Sequence, residues 1–243
     1  MTRSKFAYSH WVIYNLGMAK PLNEFWLGVR AELPILVGVV PFGMIYGISA
    51  LSIPLTPLDA QAMSSVVFAG ASQFVLLQLI QANAPLAVML ATGFVVNLRH
   101  ALYSVSLSSY TRHLSLGWKV ILSYLLTDEA YAVAITHYNQ PDENPYKHWY
   151  FLGAGLTLWM GWQFSTALGI FLGKEVPAAW GLDFTLPLTF IAIVVPSLKD
   201  RASVLAALVA GVVAVVAARM PYGLGVLTAA LAGISVGLWS ERK

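Results

Sequence analysis

Long apolar runs, cut by glycine, proline and short polar clusters, set the pattern of this chain. Windows of about 20 mostly apolar residues, the length that crosses a hydrocarbon layer as a helix, fall at Leu33–Ile53, Ala62–Ile80, Leu86–Ser108, Trp118–Thr136 and Trp149–Gly173. Weaker windows follow at Phe184–Leu198, Ser203–Ala218 and Tyr222–Trp239, where Pro187, Pro196 and Pro221 interrupt the pattern. The prediction is an all-α integral membrane protein, a polytopic helical bundle of about eight transmembrane segments. The count falls to seven if one proline-broken segment only dips in and returns. Residues 1–32 read as an interfacial amino-terminal segment, because "NEFWLGVRAELP" mixes aromatic and charged residues as surface-lying helices do. Residues 33–240 read as a single transmembrane transporter domain.

Polar positions break the apolar runs at three places. In "FVVNLRHALYS" (94–104), projection at 100° per residue gathers Thr92, Gly93, Asn97, Arg99, His100, Tyr103, Ser104 and Ser106 in one half-turn. Phe94, Val95, Leu98, Ala101, Leu102 and Val105 take the other side. An arginine facing lipid at mid-depth costs from about 2.5 kcal/mol upward, so this polar wall must face protein or water. Arg99 either locks two helices by pairing with a carboxylate or lines a cavity with Asn97 and His100. In "YLLTDEAYA" (124–132), Asp128 shares a face with Ser123, Tyr124, Thr127 and Tyr131 and is the acid expected to meet Arg99 or His100. Glu129 points elsewhere, toward another helix or toward a role as a neutral acid. In "FAGASQF" (68–74), Gly70 and its small neighbours allow either tight helix packing or a broken helix. A break would free amides and carbonyls to hold a zwitterion, with Ser72 and Gln73 beside them.

Small residues also recur every fourth position, at Gly153, Thr157, Gly161, Ser165, Gly169 and Gly173 and at Gly225, Ala229, Gly233 and Gly237, as expected where helices approach closely. "GFVVNLRHALYSV" and "GVVAVVAARMPYGLGV" share a loose Gly-x-Val and Arg…Tyr pattern, a weak internal repeat.

Composition settles the solvent. Hydrophobic residues make up 58% of the 243 and charged residues only 10%, whereas a soluble domain carries about a quarter charged. With eight spans and a cytoplasmic amino terminus, the inner side receives Arg3, Lys5, Lys20, Arg30, Lys147, Lys199, Arg201, Arg242 and Lys243. Arg112, Lys119, Lys174 and Arg219 fall outside, so the balance of positive charge places both termini inside. The net charge of +3 is spread over segment ends, which argues against a nucleic-acid partner. "WVIYNLGMA" (11–19) is too short to span and lacks a small-residue cleavage site, so no removable signal peptide is expected. Absent cysteines exclude disulfides and thiolate metal sites. No HExxH, GxSxG or GxxxxGK[ST] pattern occurs, so the expectation is no enzyme, no metal, no cofactor and no direct use of ATP. An exporter, a channel and a structural membrane subunit all fit the residues taken alone.

Four motifs in order, "FAGASQF" (68–74), "NLRHALYS" (97–104), "LTDEAYA" (126–132) and "PLTFIAIVVPSLKDR" (187–201), resemble the AzlC family, large subunits of bacterial branched-chain amino acid exporters. The likeness runs from about Phe25 to Gly237, with "PFGMIYG" (41–47) and "GLGVLTAALAGISVG" (223–237) in the same style. The resemblance implies a secondary transporter in the bacterial inner membrane that exports valine, leucine, isoleucine and related side chains such as methionine. It also implies a small hydrophobic AzlD-type partner subunit. Motif positions carried onto this chain are Gly70, Ser72, Gln73, Asn97, Arg99, His100, Asp128, Glu129, Pro196, Lys199, Asp200 and Arg201. With the family in view, Gly70, Ser72, Gln73, Asn97, Arg99 and His100 are expected to bind substrate. Asp128 and Glu129 are expected to bind its ammonium group or carry a proton. The "SLKDR" turn is expected to be a charged cap at the membrane surface.

Overall fold

The computed structural model describes residues 20–141, 144–173, 198, 200–221 and 224–241; Pro196, Lys199 and the window Phe184–Leu198, but for Leu198, lie outside them. Among the described residues every regular element is helical: α1 (Pro21–Glu32), α2 (Leu36–Leu51), α3 (Pro57–Val66), α4 (Gly70–Gln81), α5 (Leu86–Val96), α6 (Leu98–Thr111), α7 (Leu116–Tyr124), α8 (Asp128–Tyr138), α9 (Lys147–Gly173), α10 (Arg201–Val216) with a 3-10 turn at Ala217–Arg219, and α11 (Leu224–Glu241). The chain divides into two compact units, Met1–Val40 with His100–Trp162, and Pro41–Arg99 with Gln163–Lys243.

Three described stretches are long and apolar enough to cross a membrane: Leu86–Thr111, which joins α5 and α6, Arg201–Arg219, and Leu224–Glu241. α1 and α2 pass the same test together across a 69° bend. The bend falls where α1 stops at Glu32 and Pro34, which has no amide hydrogen to continue the helical ladder, follows Leu33. Phe94, Leu102 and Val105 are exposed while Thr92 is fully buried, as two faces would have it; Ser104 and Ser106 of the predicted polar side are exposed as well and Leu107 is buried, so the division does not hold beyond Tyr103. Leu208, Val212, Val215 and Val216 are likewise exposed on α10. An apolar exterior of this kind is stable only in lipid.

Two predicted spans are not single helices. Ala62–Ile80 is divided into α3 and α4 by an extended step at Val67–Ala69, and Trp118–Thr136 into α7 and α8 at Leu125–Thr127. Each pair folds back on itself. In the second unit, the Tyr46 hydroxyl donates to the Ala60 carbonyl at 2.9 Å, and the Tyr46 ring meets Phe74 at 5.9 Å. A continuous helix would hold Ala60 and Phe74 about 21 Å apart. In the first unit, Trp118 packs on His148 and Trp149 while His137 stacks on Tyr150, so both ends of α7–α8 reach the first turn of α9. A straight helix would separate Trp118 from His137 by about 29 Å. Half-length helices of 9 to 12 residues are each too short to span a bilayer alone.

Close backbone approach fixes these packings. A Cβ on Gly28 would collide with the Tyr150 carbonyl, and one on Gly153 with the Phe25 carbonyl, which welds α1 to α9 in the first unit. In the second unit Gly169 meets the Met44 backbone in the same way. On α11, a Cβ at Gly233 would lie 2.9 Å from Ala210 of α10. The four-residue stripes therefore serve internal packing.

Candidate functional site

The broken helix in the second unit begins with an ordinary start. Thr56 caps α3 through a reciprocal pair with Asp59, its hydroxyl accepting from Asp59 N at 3.2 Å, and Pro57 follows at the first helical position. α3 ends at Val66 and α4 restarts at Gly70 from the extended residue Ala69, which has no side-chain oxygen to cap it. The first amides of α4 thus carry the positive end of the helix dipole without a local acceptor. Ser72 and Gln73 lie in this first turn and are fully buried. The Ser72 hydroxyl donates to Asn97 Oδ1 at 2.9 Å. Neither polar atom of the Gln73 amide makes a close hydrogen bond among the described residues. The Tyr46 hydroxyl, which donates to the Ala60 carbonyl at 2.9 Å, lies within longer hydrogen-bonding reach of the Gln73 amide as an acceptor. Asn97 sits at the joint between α5 and α6, and half-buried Arg99 follows two residues on. Ser72 thus ties the first turn of α4, with Gly70 and Gln73, to Asn97.

The first unit holds the acids. Thr127 caps α8, its hydroxyl accepting from Ala130 N at 3.3 Å, and Asp128 and Glu129 occupy the first turn, where negative charge complements the dipole. The predicted face of Ser123, Tyr124, Thr127 and Asp128 does not form, because the helix is interrupted between Tyr124 and Asp128. Asp128 Oδ1 accepts the Tyr103 hydroxyl at 2.8 Å, and Tyr103 stacks on Tyr131 at 4.3 Å. Half-buried His100 lies 6.0 Å from the Tyr103 ring. Glu129 lies within electrostatic reach of Glu32 at the end of α1.

Sequence reasoning missed Glu32. It also missed the 2.9 Å pair of Glu24 Oε2 and His137 Nε2. The signal was available: Glu24, Gly28 and Glu32 repeat every four residues and form the buried stripe of α1, whereas Leu22, Trp26 and Leu27 are exposed. Acids inside and apolar residues outside is the reverse of a water-facing helix.

At one end of the first unit, a cavity of about 490 Å³ is lined by Tyr110, His113, Asn139, Lys147 and His148 among others. His148 is held below the usual histidine range by burial first and by the His113 charge second, against a bond to the Pro145 carbonyl. Lys119 Nζ reaches the Arg112 carbonyl at 2.8 Å beside this mouth. Because α7–α8 returns, Arg112 and Lys119 share the end that carries Lys147. Asp200, expected in a surface cap, does cap α10: Ser203 N donates to Oδ1 at 2.7 Å, and the Ser203 bonds hold its carboxyl below the usual range.

An all-helical membrane protein with two interrupted, returning helices, one presenting bare amides and the other acids, is the class that fold and site define. The AzlC protein family matches residues 34–176. The chain belongs to the AzlC family. It is 27% identical over 225 residues to the inner membrane protein YgaZ of Escherichia coli (strain K12), covering 88% of this chain and 91% of that protein. A membrane protein of Archaeoglobus fulgidus is 30% identical over 222 residues, with 88% and 94% covered. The branched-chain amino acid transport protein AzlC of Bacillus subtilis (strain 168) is 29% identical over 177 residues, with 70% and 68% covered. No solved structure matches.

Proposed function

We propose that this protein is a secondary transporter that exports branched-chain and related hydrophobic amino acids across the bacterial inner membrane. The observation that carries the reading is the start of α4 at Ala69, which has no side-chain cap, with the fully buried Gln73 amide in its first turn and no close hydrogen bond to it among the described residues. Bare amides at a helix start inside an apolar layer favour a carboxylate. Within the second unit, Gln73 and the backbone at Gly70 receive that carboxylate, with Ser72 and Asn97 fixing the turn and Arg99 following Asn97. Within the first unit, Asp128 and Glu129 serve the coupling proton. Apolar walls accept the side chain, and one methylene changes binding there by only about 1–3 kcal/mol, so several aliphatic substrates are accepted. The relative named for branched-chain amino acid transport supports the substrate class. The protein works with a small hydrophobic subunit of the AzlD type, and the end that carries Arg112, Lys119 and Lys147 faces the cytoplasm with the amino terminus.

The test is efflux of labelled valine from cells that express the chain with its small partner, wild type against Arg99→Gln at equal membrane levels. Fast efflux that collapses in the variant supports export through the polar wall. Fast efflux in both keeps the exporter and reduces Arg99 to a helix lock. Absence of valine efflux in wild type removes the assigned substrate.

A further inference from the structure

Glu32 is fully buried at the end of α1, and neither carboxylate oxygen has a hydrogen-bond partner among the described residues. A lone ionised carboxylate withdrawn from water without a donor is very costly, so such a group persists by holding a proton. Another acid, Glu129 of α8, lies within electrostatic reach of Glu32, and like charges disfavour one another in a dry site. From α9 the Tyr150 hydroxyl lies within electrostatic reach of both Glu32 and Glu24. His137 of α8 bonds Glu24 at 2.9 Å and stacks on the Tyr150 ring at 3.8 Å, and the Tyr138 hydroxyl faces Glu24 as well. Gly28 lets α1 touch α9 at the Tyr150 carbonyl, which seats Tyr150 between the two acids of α1. Glu24 and Glu32 stand about 12 Å apart along the helix. α1, α8 and α9 thus build a file of titratable groups inside the first unit.

We propose that Glu32 is a proton-binding site of the transport cycle, and that the Glu24–His137 pair passes the proton between it and the end of the unit that carries Lys20 and Lys147. The proposal rests on the transport reading and adds Glu32 to its proton path. Glu32 holds the proton at rest, releases it to the Glu24–His137 pair during transport, and is left a carboxylate until a proton returns to it. A metal cation fits less well, because it needs several oxygen ligands and no group of three or more acids or histidines able to hold one occurs among the described residues. A purely structural acid would be paired, as Glu24 is; Glu32 is not.

Two measurements on the full chain test this. Infrared titration of the purified protein in lipid is expected to show a protonated carboxyl band at neutral pH that vanishes in Glu32→Gln and persists, shifted, in Glu32→Asp, which also controls for folding. In vesicles, the ratio of pH-gradient-driven valine transport to valine exchange is expected to fall at least tenfold in Glu32→Gln, since exchange need not release the proton. An unchanged band or an unchanged ratio overturns the proposal. If wild-type vesicles move no valine, the transport reading fails, while the infrared band still decides whether Glu32 holds a proton.

Discussion

Replacing Gln73 by methionine separates a ligand-binding amide from a structural one. Gln73 is fully buried in the first turn of α4; neither amide atom makes a close hydrogen bond among the described residues, and the Tyr46 hydroxyl offers only a longer one. A buried polar group left unbonded costs about 1–3 kcal/mol. Methionine fills nearly the same volume without that cost, so Gln73→Met should stabilise the substrate-free protein by up to that amount. The substrate carboxylate, by contrast, loses a hydrogen bond to a charged group, about 1.5–3 kcal/mol, which raises the half-saturating valine concentration about 10- to 150-fold. The assays are thermal unfolding in detergent without substrate, and concentration-dependent exchange of labelled valine in vesicles. The expected result is a protein that is more stable and binds worse. A less stable variant would show that the amide is bonded within the protein, and unchanged affinity would remove Gln73 from the site. Either result refutes the reasoning.

Gly28→Ala places a methyl on the Tyr150 carbonyl and should destabilise by about 1–3 kcal/mol as α1 lifts from α9; Gly93→Ala, where a Cβ meets nothing within 4 Å, should change thermal stability little. His148 binds a proton less readily folded than unfolded, so its contribution is present above the ordinary histidine pKa of about 6.5 and is lost as pH falls below it. The drop in melting temperature from pH 7.5 to 5.5 (about one unit either side of that value) should therefore shrink in His148→Gln, and an equal drop in both proteins would contradict the assignment. The chain has no cysteine, so His113→Cys and Gln140→Cys can be labelled singly with a membrane-impermeant maleimide. Both should react from the same face, whereas a straight span over 118–136 would put them on opposite faces.

The sequence shows the long elements well because their signals are local. Pro34 marks the bend, Pro57 with Thr56 and Asp59 marks the start of α3, and the apolar side of Leu86–Thr111 reads off its periodicity as far as Tyr103. The returning helices are hidden by their composition: both halves are apolar, and hydropathy has no term for direction. One clue was present at Thr127, since Thr followed by Asp and Glu is a helix-start signature. At Ala69 only Gly70 marks the break, and tertiary contacts with Tyr46 decide it. Of the candidate site, Ser72 and Asn97 are legible as motif residues, but their hydrogen bond is not. That bond, Tyr103 as the donor to Asp128, and the place of Glu32 beside α8 and α9 depend on which helices become neighbours, and one chain's periodicity does not contain that.

Interrupting a helix inside an apolar layer frees amides and carbonyls that lipid cannot satisfy. The two interruptions meet this cost differently. α8 starts from Thr127, whose hydroxyl accepts the Ala130 amide, with two acids in the first turn. α4 starts from Ala69, extended at φ −154° and ψ 96° and without any capping oxygen. A serine would fit that backbone, and Ser in place of Ala at a helix start is worth about 1 kcal/mol. If α4 only had to pack, a capped residue would serve better than alanine. Bare amides at this depth make sense when a ligand supplies the acceptor. Ala69→Ser should therefore stabilise the substrate-free protein by about 1 kcal/mol and weaken valine binding, because the new hydroxyl competes for the same amides. A variant that is more stable and transports as well as wild type would show that the α4 amides do not hold the carboxylate.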